Sequence, residues 1–174
     1  MVTAGDTLDL GPIGATFHIT KTAADTDGRA LEMEWELAPR SSGTPVHIHP
    51  AATETYEVRE GLFDVYVDGV WRTLRAGERI TVPVGVPHTF RNASDGVTRV
   101  FNAHEPAMDF GTFFGRMGRM VADGSVPADR MTLRTKLHLA IVMASHEDEI
   151  RSVSPPHGLM RALAVVGRML GYRP

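Results

Sequence analysis

The chain contains no cysteine. Disulfides, thiolate metal sites and cysteine nucleophiles are thereby excluded, and any transition metal has to be held by His, Asp or Glu. The same absence fits a cytoplasmic location. No stretch approaches the roughly 18 apolar residues that a membrane span requires. Residues 1–10 carry neither a basic cluster nor a long apolar run, so they do not read as a signal peptide. A basic stripe is also missing: 18 Lys and Arg are set against 21 Asp and Glu, for a net charge of −3. That balance argues against nucleic acid as a partner. Arg116, Arg119, Arg130, Arg134 and Lys136 give only a mild basic bias, which reads as a solvated helix face. No internal repeat or low-complexity tract is visible.

What is present suffices for one folded domain. The chain has 174 residues, 43% of them hydrophobic, enough to fill a core. Its first hundred residues read as strands and turns. Leu31, Met33, Trp35 and Leu37 alternate with Glu32, Glu34 and Glu36, the period-two signature of a half-buried strand. Residues 15–20, 53–59, 62–67, 78–82, 86–91 and 97–103 are further strand candidates. Residues 53–59 and 62–67 flank Glu60-Gly61 and read as a hairpin. Asp68-Gly69 is the strongest two-residue hairpin signal in the chain. Many short strands at close spacing predict an antiparallel sandwich or barrel.

After Pro106 the period changes. Phe110, Phe113, Phe114, Met117 and Met120 repeat at helical spacing. Ser125-Val126-Pro127 reads as a second helix entry, followed by a stripe of Leu133, Leu137, Ala140, Ile141 and Ala144. Ser154-Pro155-Pro156 opens a third helix, with Leu159, Leu163, Val166 and Leu170 on one face. These helices pack on the β-domain or on a second subunit. The alternative is that the first of them, rich in Phe and Met, forms a lid over a ligand pocket.

Two short runs carry chemistry. His47-Ile48-His49 is followed by Glu54 and Gly61; further on come Gly77, Pro83, Gly85, His88 and Asn92. On a strand, residues two apart share a face about 6–7 Å apart, so His47 and His49 can converge on one ion. Neutral imidazole suits Zn, Cu, Fe and Ni, and a carboxylate adds Mn. An octahedral ion held by four side chains keeps two positions open; a tetrahedral zinc would be closed. His18, His104, His138, His146 and His157 read as ordinary satisfied or exposed histidines.

The two runs together resemble the motifs of the cupin superfamily, in its small single-domain bacterial form with the conserved barrel. The first motif is matched by His47-x-His49, four residues, Glu54, six residues and Gly61. The second is matched by Gly77, five residues, Pro83-x-Gly85, two residues, His88, three residues and Asn92. One departure exists: Ser41 stands where the family usually places glycine ahead of the site, with Gly43 nearby.

The resemblance implies a mainly β fold: a cupin-type antiparallel β-barrel (a double-stranded β-helix, or jelly roll) over residues 1–106. A C-terminal α-helical extension would occupy 107–174. It implies one divalent transition metal (Fe, Mn, Ni, Cu or Zn) held by His47, His49, Glu54 and His88, with Asn92 and the glycines structural. Strand parity from those ligands turns Tyr56 and Phe90 toward the interior, and Met33, Trp35 and Phe63 join them from the apolar faces of their own strands, as substrate-pocket lining or as plain barrel core. The expected function is a metal-dependent enzyme performing dioxygenase-type oxidation of a small oxygenated substrate, with Glu54 doubling as a base. The alternatives are a non-redox Lewis-acid isomerase or polyketide-type cyclase, and a non-catalytic metal-containing binder or sensor. A homodimer is the family habit.

Overall fold

A computed structural model describes residues 2–127 and 129–173. Eleven strands form two antiparallel sheets facing each other. The strands are β1 (Thr7–Leu10), β2 (Ala15–Lys21), β3 (Leu31–Leu37), β4 (Val46–Ile48), β5 (Thr53–Glu60), β6 (Leu62–Val67), β7 (Val70–Arg75), β8 (Arg79–Val82), β9 (His88–Arg91), β10 (Thr98–Glu105) and β11 (Arg151–Ser154). One sheet runs β1-β2-β3-β10-β5-β8, the other β11-β4-β9-β6-β7. Three helices, α1 (Phe110–Ala122), α2 (Leu133–Ala144) and α3 (His157–Met169), complete the chain. Among the described residues no helix is long and apolar enough to cross a membrane.

The period-two reading of β3 holds residue by residue. Leu31, Met33, Trp35 and Leu37 are buried, and the three glutamates between them face outward. The Asp68-Gly69 turn joins β6 to β7 with both residues at positive φ, 47° and 88°. Those dihedrals match the right-handed twist of the flanking strands.

The expected hairpin at Glu60-Gly61 does not form. β5 pairs with β10 and β8, whereas β6 pairs with β9 and β7. The chain instead crosses from one sheet to the other there. Gly61, at φ 82°, lies so close to the next strand that a Cβ would stand 2.6 Å from the Val97 carbonyl oxygen. β5 and β6 each bury one face, and a sheet-to-sheet corner lets both faces enter the same core.

The C-terminal segment also differs from its expected layout. α2 begins at Leu133, not at Ser125, because Thr132 supplies a capping box with Thr135. Residues 151–154, which carried no strand signal, add β11 to the open edge of β4. α3 buries Met160, Ala164 and Gly167, and leaves Leu159, Val166 and Leu170 exposed. The small face wins because it allows close approach: a Cβ on Gly167 would lie 2.9 Å from Ile141 Cδ1.

The departure at Ser41 finds its explanation at Gly43. Gly43 has φ 67°, and a Cβ there would fall 1.8 Å from the Phe90 carbonyl oxygen. Gly85, at φ 74°, faces open space. We therefore expect Gly85→Ala to cost roughly 1–2 kcal/mol, the price of the left-handed backbone alone. Gly43→Ala has to displace a strand as well and will cost clearly more. Urea unfolding midpoints compare the two directly; equal losses would contradict the close approach at Gly43.

Candidate metal centre

Three strands bring the four motif residues together. His47 lies in β4 directly opposite His88, the first residue of β9. His49 follows β4 on the same face as His47, as period two requires. Glu54 comes from β5 in the facing sheet. All four side chains are buried, and each offers one donor atom such that the set lies within 4.8 Å of one another. Gly85 helps to close the site, since its N–H donates to the His49 carbonyl at 2.9 Å.

Backbone carbonyls fix the imidazole tautomers. His47 Nδ1 donates to Pro45 O at 2.8 Å, His49 Nδ1 to Glu149 O at 2.7 Å, and His88 Nδ1 to Val86 O at 2.8 Å. A carbonyl can only accept, so each Nδ1 carries the proton and each neutral ring keeps its Nε2 lone pair free. Two of those atoms face the same carboxylate oxygen. Glu54 Oε2 stands 3.2 Å from His49 Nε2 and 2.8 Å from His88 Nε2. Lone pairs meeting a carboxylate in a buried space repel unless a positive charge lies among them. The arrangement is compatible with a shared metal ion, and the N₃O donor set suits the first-row divalent metals.

The titration behaviour has the same origin. Burial and the neighbouring imidazoles push His47 well below its ordinary range. Burial opposes charge on His88 too, but its contact with Glu54 outweighs that and raises its pKa. Burial would raise Glu54; His104, His49 and His88 more than compensate and hold the carboxylate well below the usual range. Burial lifts the Tyr56 phenol well above its normal value, with Glu54 adding to the effect.

Two further residues belong to this cluster. Asn102 Nδ2 donates to Glu54 Oε1 at 2.8 Å, and His104 Nε2 lies 3.3 Å from that same oxygen. Both come from β10, where His104 pairs with Glu54 in register. His104 had read as an ordinary histidine. A signal was there: Val100, Asn102 and His104 share one face of β10 by parity, so two polar groups point into an apolar interior. The Glu149 carbonyl, a hundred residues from His49, left no such trace.

A cavity of about 50 Å³ opens beside the cluster. His47, His49, Glu54 and His104 line its inner end, and Trp35 and Phe90 form part of its wall. Met33, Tyr56 and Phe63 are buried in the packed core and do not line it. Phe113, Phe114 and Met117 of α1, together with Met143 of α2, close it from the other side. The first helix thus both packs on the barrel and roofs the cavity.

Residues 33–104 match the family model for the cupin domain. That segment is a cupin domain. The HTH-type transcriptional regulator PuuR of Escherichia coli (strain K12) is 26% identical over 106 residues, which cover 61% of this chain and 56% of PuuR. The chain therefore spans about half the length of that curated relative. Among solved structures, KdgF from a Halomonas species aligns with a TM-score of 0.53 and 23% identity, covering 61% of this chain and 90% of KdgF. The polyketide cyclase RemF from Streptomyces resistomycificus aligns with a TM-score of 0.51 and 23% identity, covering 60% and 78%. At such identities the structural likeness speaks for the fold alone.

The fourth imidazole of the cluster, that of His104, can be tested by pH. Burial lowers the His104 pKa from 6.5 to about 3. Between those values the unfolded chain binds a proton that the folded one refuses, so stability falls as pH drops through that window. In chelator-treated protein, His104→Asn should flatten the decline of the urea midpoint below pH 6.5 by up to about 1.4 kcal/mol per pH unit. An unchanged slope would mean that His104 is not held neutral.

Proposed function

We propose that this cupin is a metal-dependent enzyme that oxidises a small, partly apolar oxygenated molecule by dioxygenase-type chemistry. One observation carries the reading: His47, His49 and Glu54 sit at the end of a largely apolar cavity, and His88, buried against Glu54, completes the donor set. His47, His49, Glu54 and His88 are the proposed ligands. A divalent transition metal held there would supply a Lewis-acid centre with positions left for substrate oxygen and dioxygen.

The chain's own groups do the rest. Phe113, Phe114 and Met143 keep bulk water from the reacting end. The Nδ1 bonds to carbonyls hold each ring in its orientation, and Asn102 holds Oε1 of Glu54. Glu54 is a weak base while the imidazoles hold its pKa down. It can accept a substrate proton only after rotating away from His49 and His88, which restores a more ordinary basicity.

A second reading rests on His104. A neutral imidazole beside Glu54 forms an acid–base pair suited to non-redox isomerisation or cyclisation at a Lewis-acidic centre. The third, a metal-containing binder or sensor without turnover, draws on the sequence likeness to the transcriptional regulator PuuR. A homodimer in the cytoplasm is part of the proposal; the outward apolar face of α3, with Leu159, Val166, Met169 and Leu170, is a surface it would cover.

Elemental analysis of the purified protein, followed by oxygen uptake with catechols, diketones and flavonols, tests these readings. Fe, Mn, Ni or Cu with substrate-dependent uptake is the expected result. Zinc without uptake, but with isomerised or cyclised product, would move the assignment to the second reading. Metal with ligand retention and no turnover would move it to the third. His49→Ala and His88→Ala should each lose most of the metal while the β-rich circular dichroism persists. Full metal occupancy in both variants would overturn the ligand assignment.

A further inference from the structure

A second compartment of about 30 Å³ adjoins the cavity beside the candidate metal centre and shares four wall residues with it, Leu10, Ile13, Met117 and Leu139. Met120, Val126 and Met131 form its far end. All of its lining residues lie outside residues 33–104, the segment matched by the cupin-domain model. The compartment is therefore built by this chain's N-terminal segment and helices, not by the conserved barrel.

The chemistry of the two compartments differs. In the first, Glu54 is the only formally charged side chain among the described residues on the wall, and no Lys or Arg lines it. Two ring nitrogens of its lining residues, Trp35 Nε1 and His104 Nδ1, are buried without a hydrogen-bond partner. They provide unused polar capacity next to the ligand cluster. In the second compartment Thr135 is the only polar lining residue among the described residues, and its hydroxyl is already engaged with Thr132 in the α2 cap. A charged or hydroxyl-rich group placed there would lose its hydration with nothing to replace it. Met117, Met120 and Met131 are unbranched and flexible, so the walls, including the one shared by the two compartments, can yield to an apolar chain.

We infer that the substrate is elongated, with an oxygenated head at the metal centre and an apolar tail that passes between Met117 and Leu139 into the second compartment. The head assignment rests on the proposed function; the tail assignment rests on the geometry of the second compartment. Sugars and short diacids are poor fits, because neither has an apolar segment to fill it. In that placement Met117 and Leu139, which line both compartments, become determinants of tail length.

Alkane-2,4-diones give a probe series with one head and a growing tail. Their affinities for the purified metal-containing protein, from pentane-2,4-dione to tridecane-2,4-dione, can be measured by titration calorimetry. Burial of each added methylene should tighten binding about fourfold, until the compartment is full. Val126→Phe fills the far end, so it should abolish the gain for the longer members while leaving pentane-2,4-dione within about twofold. If that variant does not fold, Met131→Trp on the same wall, at a position 37% exposed, serves the same purpose. Affinity that is flat along the series, or a loss that is equal for short and long members, would overturn the tail compartment. Binding of pentane-2,4-dione that survives in His49→Ala would instead count against the metal-centred head. The chain-length dependence would stand or fall separately.

Discussion

A carboxylate oxygen and three imidazole lone pairs meet in the interior of this protein, and the rest of the architecture answers to that fact. Burying such a set is costly, because every one of its members presents negative potential to the others. Each Nδ1 is committed to a backbone carbonyl, which leaves the rings no tautomer that would relieve the conflict. Protonation of His88 relieves part of it, in line with its raised pKa. A divalent cation would relieve all of it at once. Asn102 and His104 steady the other carboxylate oxygen. The pocket is thus pre-organised for positive charge before any substrate arrives.

The C-terminal segment takes part in this arrangement. Glu149 supplies the carbonyl that orients His49, and β11 extends the sheet beside His47, with Ser152 opposite it in register. α1 and α2 supply the apolar roof of the cavity. The residues after Pro106 therefore complete the centre, and a barrel cut off there would lose both one histidine's second hydrogen bond and its shelter from water. Shelter matters because water exclusion strengthens every electrostatic contact inside and protects reactive species.

Cupin barrels host many chemistries, so the fold alone leaves the reaction open. What narrows it here is the wall. A carboxylate–imidazole cluster lies at one end and largely apolar surface at the other, which is what the proposed substrate reading rests on. The neighbouring His104 adds a neutral acid–base group that a purely structural metal site would not require.

Much of the barrel was legible in the sequence, because strand parity is a local property. β3 alternates so regularly that its buried and exposed faces follow directly, and the spacing of His47, His49, Glu54 and His88 marked the cluster. What the chain could not show by itself were long-range choices. The corner at Gly61 depends on which sheet β6 joins. The burial of α3 by its small face depends on how closely Ile141 approaches Gly167. The pairing of β11, the Glu149 carbonyl and the second compartment arise only when distant segments meet. By itself the sequence determined the periodicities and the ligand types, since those reside in neighbouring residues. Tertiary structure decided partners, roof and cavity, since packing selects among faces that local patterns leave equivalent.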